Sequence, residues 1–365
     1  MLRLPLPLRL ALMPVLASGA LLLVACNDED CCAVPESNVK QELVVNFADA
    51  VVVPTYQRLA TQLAELDAAA RALQATPTAG TLAATKQAWF AARVSWEQSE
   101  AFLFGPVDSY GFDPALDSWP VNRTDLDAVL ASKDPLTPES VRNLQETQKG
   151  FHTVEYLVFN EGGDKTADQF TARQFEYLTS ITAELKSVGA ALASSWTQTT
   201  EGRPPYRDTL ATAGQPGNTA YPSLQAAAQE MVGGIINILD EVANGKIAGP
   251  YDAKDPSLVE SQFAYNALSD FTHNLRGVES VYQGHVSDAA ARGQTLRDVV
   301  GAGTNLDARI TGELAQAIAA LGRIPEPFRD AIRDPAAKDE IEAAQAAIRK
   351  VQDTFQSEVM PLVTR

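Results

Sequence analysis

The chain has 365 residues, 45% of them hydrophobic and 21% charged, and its 46 acidic against 29 basic side chains leave a formal net charge of -17. That balance argues against a phosphate-backbone partner, which calls for a basic face, so nucleic acid is disfavoured and cations or neutral partners are favoured; an acidic, solubilising surface is the plainer use of the same charge. The apolar content is enough for a large core, and the adjacent Cys31 and Cys32 suit no disulfide framework, so the core must hold the fold.

Arg3 and Arg9 precede an apolar run over 10–25, interrupted only by Pro14, Ser18 and Gly19, which has the form of a signal peptide. At 16 residues the run is shorter than the roughly 20 that a spanning helix needs. It ends in Leu23-Val24-Ala25-Cys26, which resembles a lipobox, in which the cysteine is diacylated and becomes the new N-terminus. Cys26 is thus the expected lipid attachment point, 1–26 the signal and 27–37 a polar tether. An ordinary secretory signal with a chance cysteine is the alternative, and Asn27 does not say which membrane holds the lipid.

Beyond the tether the pattern is helical. In 38–73, Leu43, Phe47, Val51, Tyr56, Leu59, Leu63 and Leu66 recur near helical spacing, and Pro54 predicts a kink. A second helix over 81–104 stops at Gly105-Pro106, and a loop-rich stretch follows over 107–122. Thr137-Pro138-Glu139 opens a third helix carrying Val141, Leu144, Phe151, Val154 and Val158 to Gly162-Gly163, and 167–196 is a fourth. Residues 201–222 hold four prolines and three glycines without apolar periodicity, as in a linker. Helices resume over 223–244, 257–291, 306–321 and 336–363. Two packed four-helix bundles, 38–200 and 223–365, are the simplest all-α architecture that buries these faces. Similar helix ends, Glu100-Ala-Phe-Leu-Phe-Gly105 and Glu279-Ser-Val-Tyr-Gln-Gly284, raise the idea of an ancient duplication.

Two of the three histidines have a carboxylate three residues away: His152 with Glu155, and Asp270 with His273. On a helix these positions share a face, so each pair can turn into one pocket, as a metal ion requires of two ligands from one element. Glu97 and Glu100, beside Trp96, repeat the spacing. A helix-surface hydrogen bond needs no ion, but His152 and Glu155 stand in the largely apolar Gly150-Phe-His-Thr-Val-Glu-Tyr-Leu-Val-Phe159, and buried polar groups need a partner: a side chain, a water or a metal. Trp96, Trp119 and Trp196 read first as core anchors, Arg93 and Arg276 as ion-pair partners that could instead meet an anionic ligand, and His285 as a surface residue at a bend. There is no phosphate loop, nucleophile elbow or Cys-x-x-Cys pair.

Gly150-Phe-His152-Thr-Val-Glu155 resembles the Gly-x-His-x-x-Glu motif of the imelysin-like proteins, a family also classed as insulin-cleaving-type peptidases. Residues 96–106, from Trp96-Glu97 to Gly105-Pro106, look like that family's second-helix end, Asp117-Ser-Trp119-Pro120 like the loop after it, and 270–284, with Asp270, His273, Arg276 and Tyr282, like its last diagnostic stretch. The resemblance implies a two-bundle helical protein, exported or lipid-anchored, linked to iron acquisition and related to ferrous-iron uptake components, so that a membrane partner in iron uptake is expected. It makes His152, Glu155, Glu97, Glu100, Asp270 and His273 candidate metal ligands, with Arg93, Trp96, Asp117, Trp119, Arg276 and Tyr282 around the cleft.

A helical zinc peptidase of the common type carries His-Glu-x-x-His, and no second histidine stands on this helix, so hydrolysis does not follow from the motif. Three functions remain open. The preferred one is an envelope protein, facing the periplasm, that holds a metal ion, iron more than zinc. The others are a zinc-type metallopeptidase and a non-catalytic module for a haem protein or membrane partner.

Overall fold

The computed structural model describes residues 38–286 and 290–365. The expected signal segment, Cys26, the tether, Cys31 and Cys32 lie outside the described residues. Helix dominates the rest: α1 (Val53–Ala75), α2 (Ala79–Ser99), α3 (Phe151–Phe159), α4 (Ala172–Thr197), α5 (Leu224–Asp240), α6 (Ala267–Gln283), α7 (Asn305–Leu321) and α8 (Lys338–Thr354), with shorter helical turns between them. Among the described residues there is no strand beyond an isolated bridge between Thr200 and Arg203, and no helix long and apolar enough to cross a membrane.

Some helices carry a side-chain cap at the start, and all of the long ones bury an apolar face. The Thr78 hydroxyl accepts from the Thr81 amide at the start of α2, and Thr171 does the same for Gln174 at α4. On α1, Leu59, Leu63, Leu66, Ala70 and Leu73 are fully buried at three- and four-residue intervals. This stripe faces α2 and α4; in the C-terminal half α8 packs on α5 and α7. The stretch from Ser37 to Arg365 forms one compact unit, and α2 and α6 meet along a seam within it. Gly277 allows that seam to close: a Cβ there would stand 2.3 Å from the Gln98 carbonyl oxygen.

At Pro54, where a kink is expected, the helix widens ahead of the proline. Three stretches of π-helix, Ala48–Val52, Glu241–Ile247 and Phe355–Val359, each end two or three residues before a proline, Pro54, Pro250 and Pro361. A proline has no N–H to return to the preceding turn and its ring crowds the carbonyl four residues back, and a widened turn ahead of it relieves both. The third expected helix is broken into Pro138–Arg142, the 3-10 turn Glu146–Gln148 and α3: extended Gln145 separates the first two pieces, and extended Lys149 with Gly150 at φ 84° separates the second from α3. The expected linker holds the helix Tyr206–Ala211 and packs on the body, with the Arg207 guanidinium against Asp49 and Tyr206 edge-on to Trp196. The helix expected over 257–291 starts only at Ala267: residues 259–266 form an irregular loop in which Ser261 and Tyr265 adopt left-handed backbone.

Candidate metal centre

The site is built on the α2–α6 seam. Arg93 and Glu97 lie one turn apart on α2, and Glu100 follows in the 3-10 turn Glu100–Phe102. Asp270 and Asn274 stand one turn apart on α6 and, with Gly277, face α2. The motif glycine explains how α3 joins them. At Gly150 a Cβ would lie 2.6 Å from the Leu116 carbonyl oxygen, so its absence lets the end of the Phe112–Asp117 helix press on the start of α3, bringing Asp117 to His152. Trp89 and Trp96 brace the arrangement: the Trp89 indole donates to the Phe151 carbonyl at 3.0 Å, and the Trp96 indole donates to Asp117.

His152 is 1% exposed. Its Nδ1 lies 2.9 Å from Glu155 Oε2, and the other Glu155 oxygen accepts from the backbone amides of Phe263 and Ala264, both at 2.8 Å. Both oxygens of Glu155 are therefore engaged, and the left-handed loop that supplies the amides serves to hold it. Nε2 points the other way. It has no aligned hydrogen-bond partner, yet it stands 3.1 Å from Asp117 Oδ1 and 3.8 Å from Glu260 Oε1. Asp117, His152 and Glu260 together offer ligand atoms spaced as a metal ion would need them, as do Glu97, Glu100, Asp117 and Glu260.

Two permanent cations lie inside this cluster. Arg93, fully buried, contacts Glu97, Asp117 at 2.6 Å, Glu260 at 3.1 Å and Asp270 at 3.4 Å. Lys246 is carried in by the Glu241–Ile247 π-helix and places its ammonium 2.6 Å from Glu100, 3.2 Å from Glu260 and 3.4 Å from Glu97. The Asn274 amide donates to Glu97 Oε2 at 2.6 Å and Glu100 Oε2 at 2.7 Å. Glu97, Glu100, Asp117, Glu155, Glu260 and Asp270 thus outnumber the fixed positive charges, and the cluster divides accordingly. Burial would raise the Asp117 carboxyl, but Arg93 and His152 hold it far below its usual range. Burial is likewise outweighed at Glu260, which Lys246, His152 and Arg93 bring to about 2. Glu100 is pushed well up by burial and by Glu97, and Asp270 by burial against the pull of Arg93. Burial lowers His152, but Asp117 overcomes it and drives the imidazole well above its usual value. Burial thus favours protons on Glu100 and Asp270, while Asp117 and Glu260 are held as carboxylates that a divalent cation could compensate.

Of the residues singled out in the sequence, His152, Glu155, Glu97, Glu100, Asp270, Arg93, Trp96 and Asp117 come together here. His273 does not: its Nδ1 lies 3.3 Å from the Gln98 amide. Asp270 shares its face with Asn274 instead. Arg276 is exposed and pairs with Glu279, Tyr282 donates to Asp307, and no hydrogen bond ties the half-buried Trp119 indole to the cluster. His285 is half-buried, with Nδ1 unpartnered. Lys246, Glu260 and Asn274 were missed. A lone lysine between buried Val242, Ala243 and Ile247 is the one signal that could have marked the first; Glu260 lies in a loop where no spacing rule operates.

The chain is similar to known proteins over most of its length. The chain is 35% identical over 332 residues to the iron-regulated protein A of Synechococcus elongatus, covering 91% of this chain and 89% of that protein. Its fold matches the crystal structure of an iron-regulated protein A precursor from Parabacteroides distasonis with a TM-score of 0.79 at 26% identity, over 89% of this chain and 95% of the other. An imelysin-like protein from Psychrobacter arcticum, at 16% identity, shares the fold with a TM-score of 0.70 over 90% and 97% of the two chains. The family model for imelysin, peptidase family M75, matches residues 52–355, and the chain belongs to the imelysin family.

Proposed function

We propose that this protein is an exported, lipid-anchored receptor that captures an iron ion at a centre made by His152, Asp117 and Glu260. The observation that carries the reading is the buried His152 Nε2, without an aligned hydrogen bond and facing two carboxylates inside a cluster with surplus negative charge. Two ligand atoms about 2.1 Å from a metal and at right angles are about 3 Å apart, which the 3.1 Å between Nε2 and Asp117 fits. Glu155 acts here as the group that orients the histidine, its Oε2 accepting the hydrogen bond from Nδ1–H so that Nε2 is the nitrogen turned toward a metal. With neither oxygen free to activate water, Glu155 supports binding over hydrolysis. A mixed imidazole and carboxylate shell suits iron or zinc over calcium, and the iron-regulated relatives favour iron. The signal segment and Cys26 support placement at the cell envelope, where a tethered receptor could serve a membrane partner in iron uptake.

The test is anaerobic titration of chelator-stripped protein with iron(II), and separately with zinc, followed by calorimetry and melting temperature. The parent should bind at micromolar concentration and melt higher with metal, His152→Ala should lose binding, and Glu155→Gln should weaken it by about 10- to 100-fold. Failure to take up either ion, or equal binding by His152→Ala, would sink the reading and leave the cluster as a stitch between helices.

A further inference from the structure

A cavity of about 330 Å³ adjoins the buried centre, and Glu100, Glu230, Gly233, Asn237 and Glu241 are among its lining residues. Glu100 belongs both to this cavity and to the carboxylate group that includes Glu97, Asp117 and Glu260. Directly behind it lies the Lys246 ammonium, 2.6 Å from Glu100, and behind that Glu260, which also approaches His152 Nε2. The π-helical stretch Glu241–Ile247 supplies both a wall of the cavity, through Glu241, and the lysine at its inner end.

Lys246 shows what this position holds. An ammonium 2% exposed, ringed by oxygens of Glu97, Glu100 and Glu260, is a cation that the chain itself has placed in an oxygen cage. We propose that the cavity is the mouth through which a divalent cation reaches the His152 centre, and that Lys246 is its gate, a tethered cation that the incoming ion displaces. The inference rests on the reading of the centre as a metal site. Glu230 and Glu241 concentrate cations at the mouth, and exchange of ammonium for metal keeps the surplus carboxylates compensated at each stage. Coordination bonds form at the carboxylates and at His152 Nε2, whose proton leaves to solvent as the ion binds, and no oxidation state changes.

Gly233 gives a test that removes no ligand. It lines the cavity on α5, and a Cβ built there meets nothing within 4 Å, so a side chain at this position starts into open space and Gly233→Phe is the variant chosen to fill the mouth. Cobalt(II) chloride is mixed with parent and variant in a stopped-flow instrument and loading is followed by quenching of tryptophan fluorescence, Trp96 being hydrogen-bonded to Asp117. Gly233→Phe should load about tenfold more slowly or worse, with the same amount bound at equilibrium. Lys246→Met should load faster than the parent or take up a second ion. If Gly233→Phe does not fold, as judged by its melting curve, Asn237→Phe from the same wall replaces it. Loading at the parent's rate by the blocked variant, or no gain in rate or capacity in Lys246→Met, overturns the gate while leaving the metal centre standing. A parent that binds no cobalt(II) at equilibrium takes down both.

Discussion

Two regions of this protein bury carboxylates, and they do so in opposite ways. At Asp307, one carboxylate meets one guanidinium: Oδ1 accepts from Tyr282 at 2.9 Å and Arg297 at 2.8 Å, and Oδ2 from Arg297 at 2.9 Å and the Gly303 amide at 2.8 Å. Its acceptor capacity is filled and its charge is matched, as in a structural ion pair. On the α2–α6 seam, carboxylates outnumber cations, and His152 Nε2, Arg93 Nε, Glu260 Oε2 and Asn274 Oδ1 have no aligned hydrogen bond. In both regions the carboxylates are buried and hydrogen-bonded. What distinguishes a candidate site is surplus charge with unspent donor and acceptor atoms, a combination that costs stability unless a ligand uses it.

That contrast can be broken experimentally. Removing the hub of the surplus cluster should cost most: Arg93→Leu leaves Asp117, Glu97, Glu260 and Asp270 without their shared partner and should lower unfolding free energy by about 3–5 kcal/mol in urea denaturation, a loss that saturating metal narrows. A loss below about 1 kcal/mol would mean that protons already neutralise the cluster and that the contrast with Asp307 is one of degree.

The matched pair should give a smaller, pH-defined effect. Hydrogen bonds from Arg297, outweighing burial, hold Asp307 at about 2, below its ordinary 3.8. A carboxyl lowered by folding stabilises fully above its unfolded value, and that contribution is lost as pH falls through the folded one. Asp307→Asn should therefore cost on the order of 1–2 kcal/mol at neutral pH, half of the charge partner being solvent-exposed, and the gap to the parent should close between about pH 4 and pH 2. Thermal melts across that range check the sign. Smallest of all, Arg276→Ala, at an exposed pair with Glu279, should shift stability by less than about 0.5 kcal/mol and leave metal binding unchanged; a large loss of binding would put the C-terminal stretch of α6 back in the site.

The helices were legible because their information is local. The stripe from Leu59 to Leu73, the threonine caps and the Gly105-Pro106 stop each lie within a few residues of what they specify. Local reasoning failed where a few backbone angles decided the outcome: extended Gln145 and Lys149 with Gly150 at positive φ broke one expected helix, and left-handed Ser261 and Tyr265 stand in the loop that replaces the start of another. Within the site, His152 and Glu155 were recognisable as polar residues in an apolar helix, but their division of labour was not, since it depends on backbone amides more than a hundred residues away. The helix-spacing rule paired Asp270 with His273, whereas across the seam Asn274 meets Glu97 and Glu100 while His273 meets Gln98.

By itself, then, the sequence determined an all-helical fold, an acidic body and a histidine with its carboxylate on a buried face, because composition, periodicity and short-range spacing carry those properties. Tertiary structure alone decided that Asp117 and Glu260 would be the groups facing His152, that Glu155 would orient it, and that Lys246 would stand among the carboxylates. Those placements come from Gly277 closing the seam, Gly150 admitting Leu116 and a π-helix turning one lysine inward, and close approach of distant backbones has no signature in the spacing of residues along the chain.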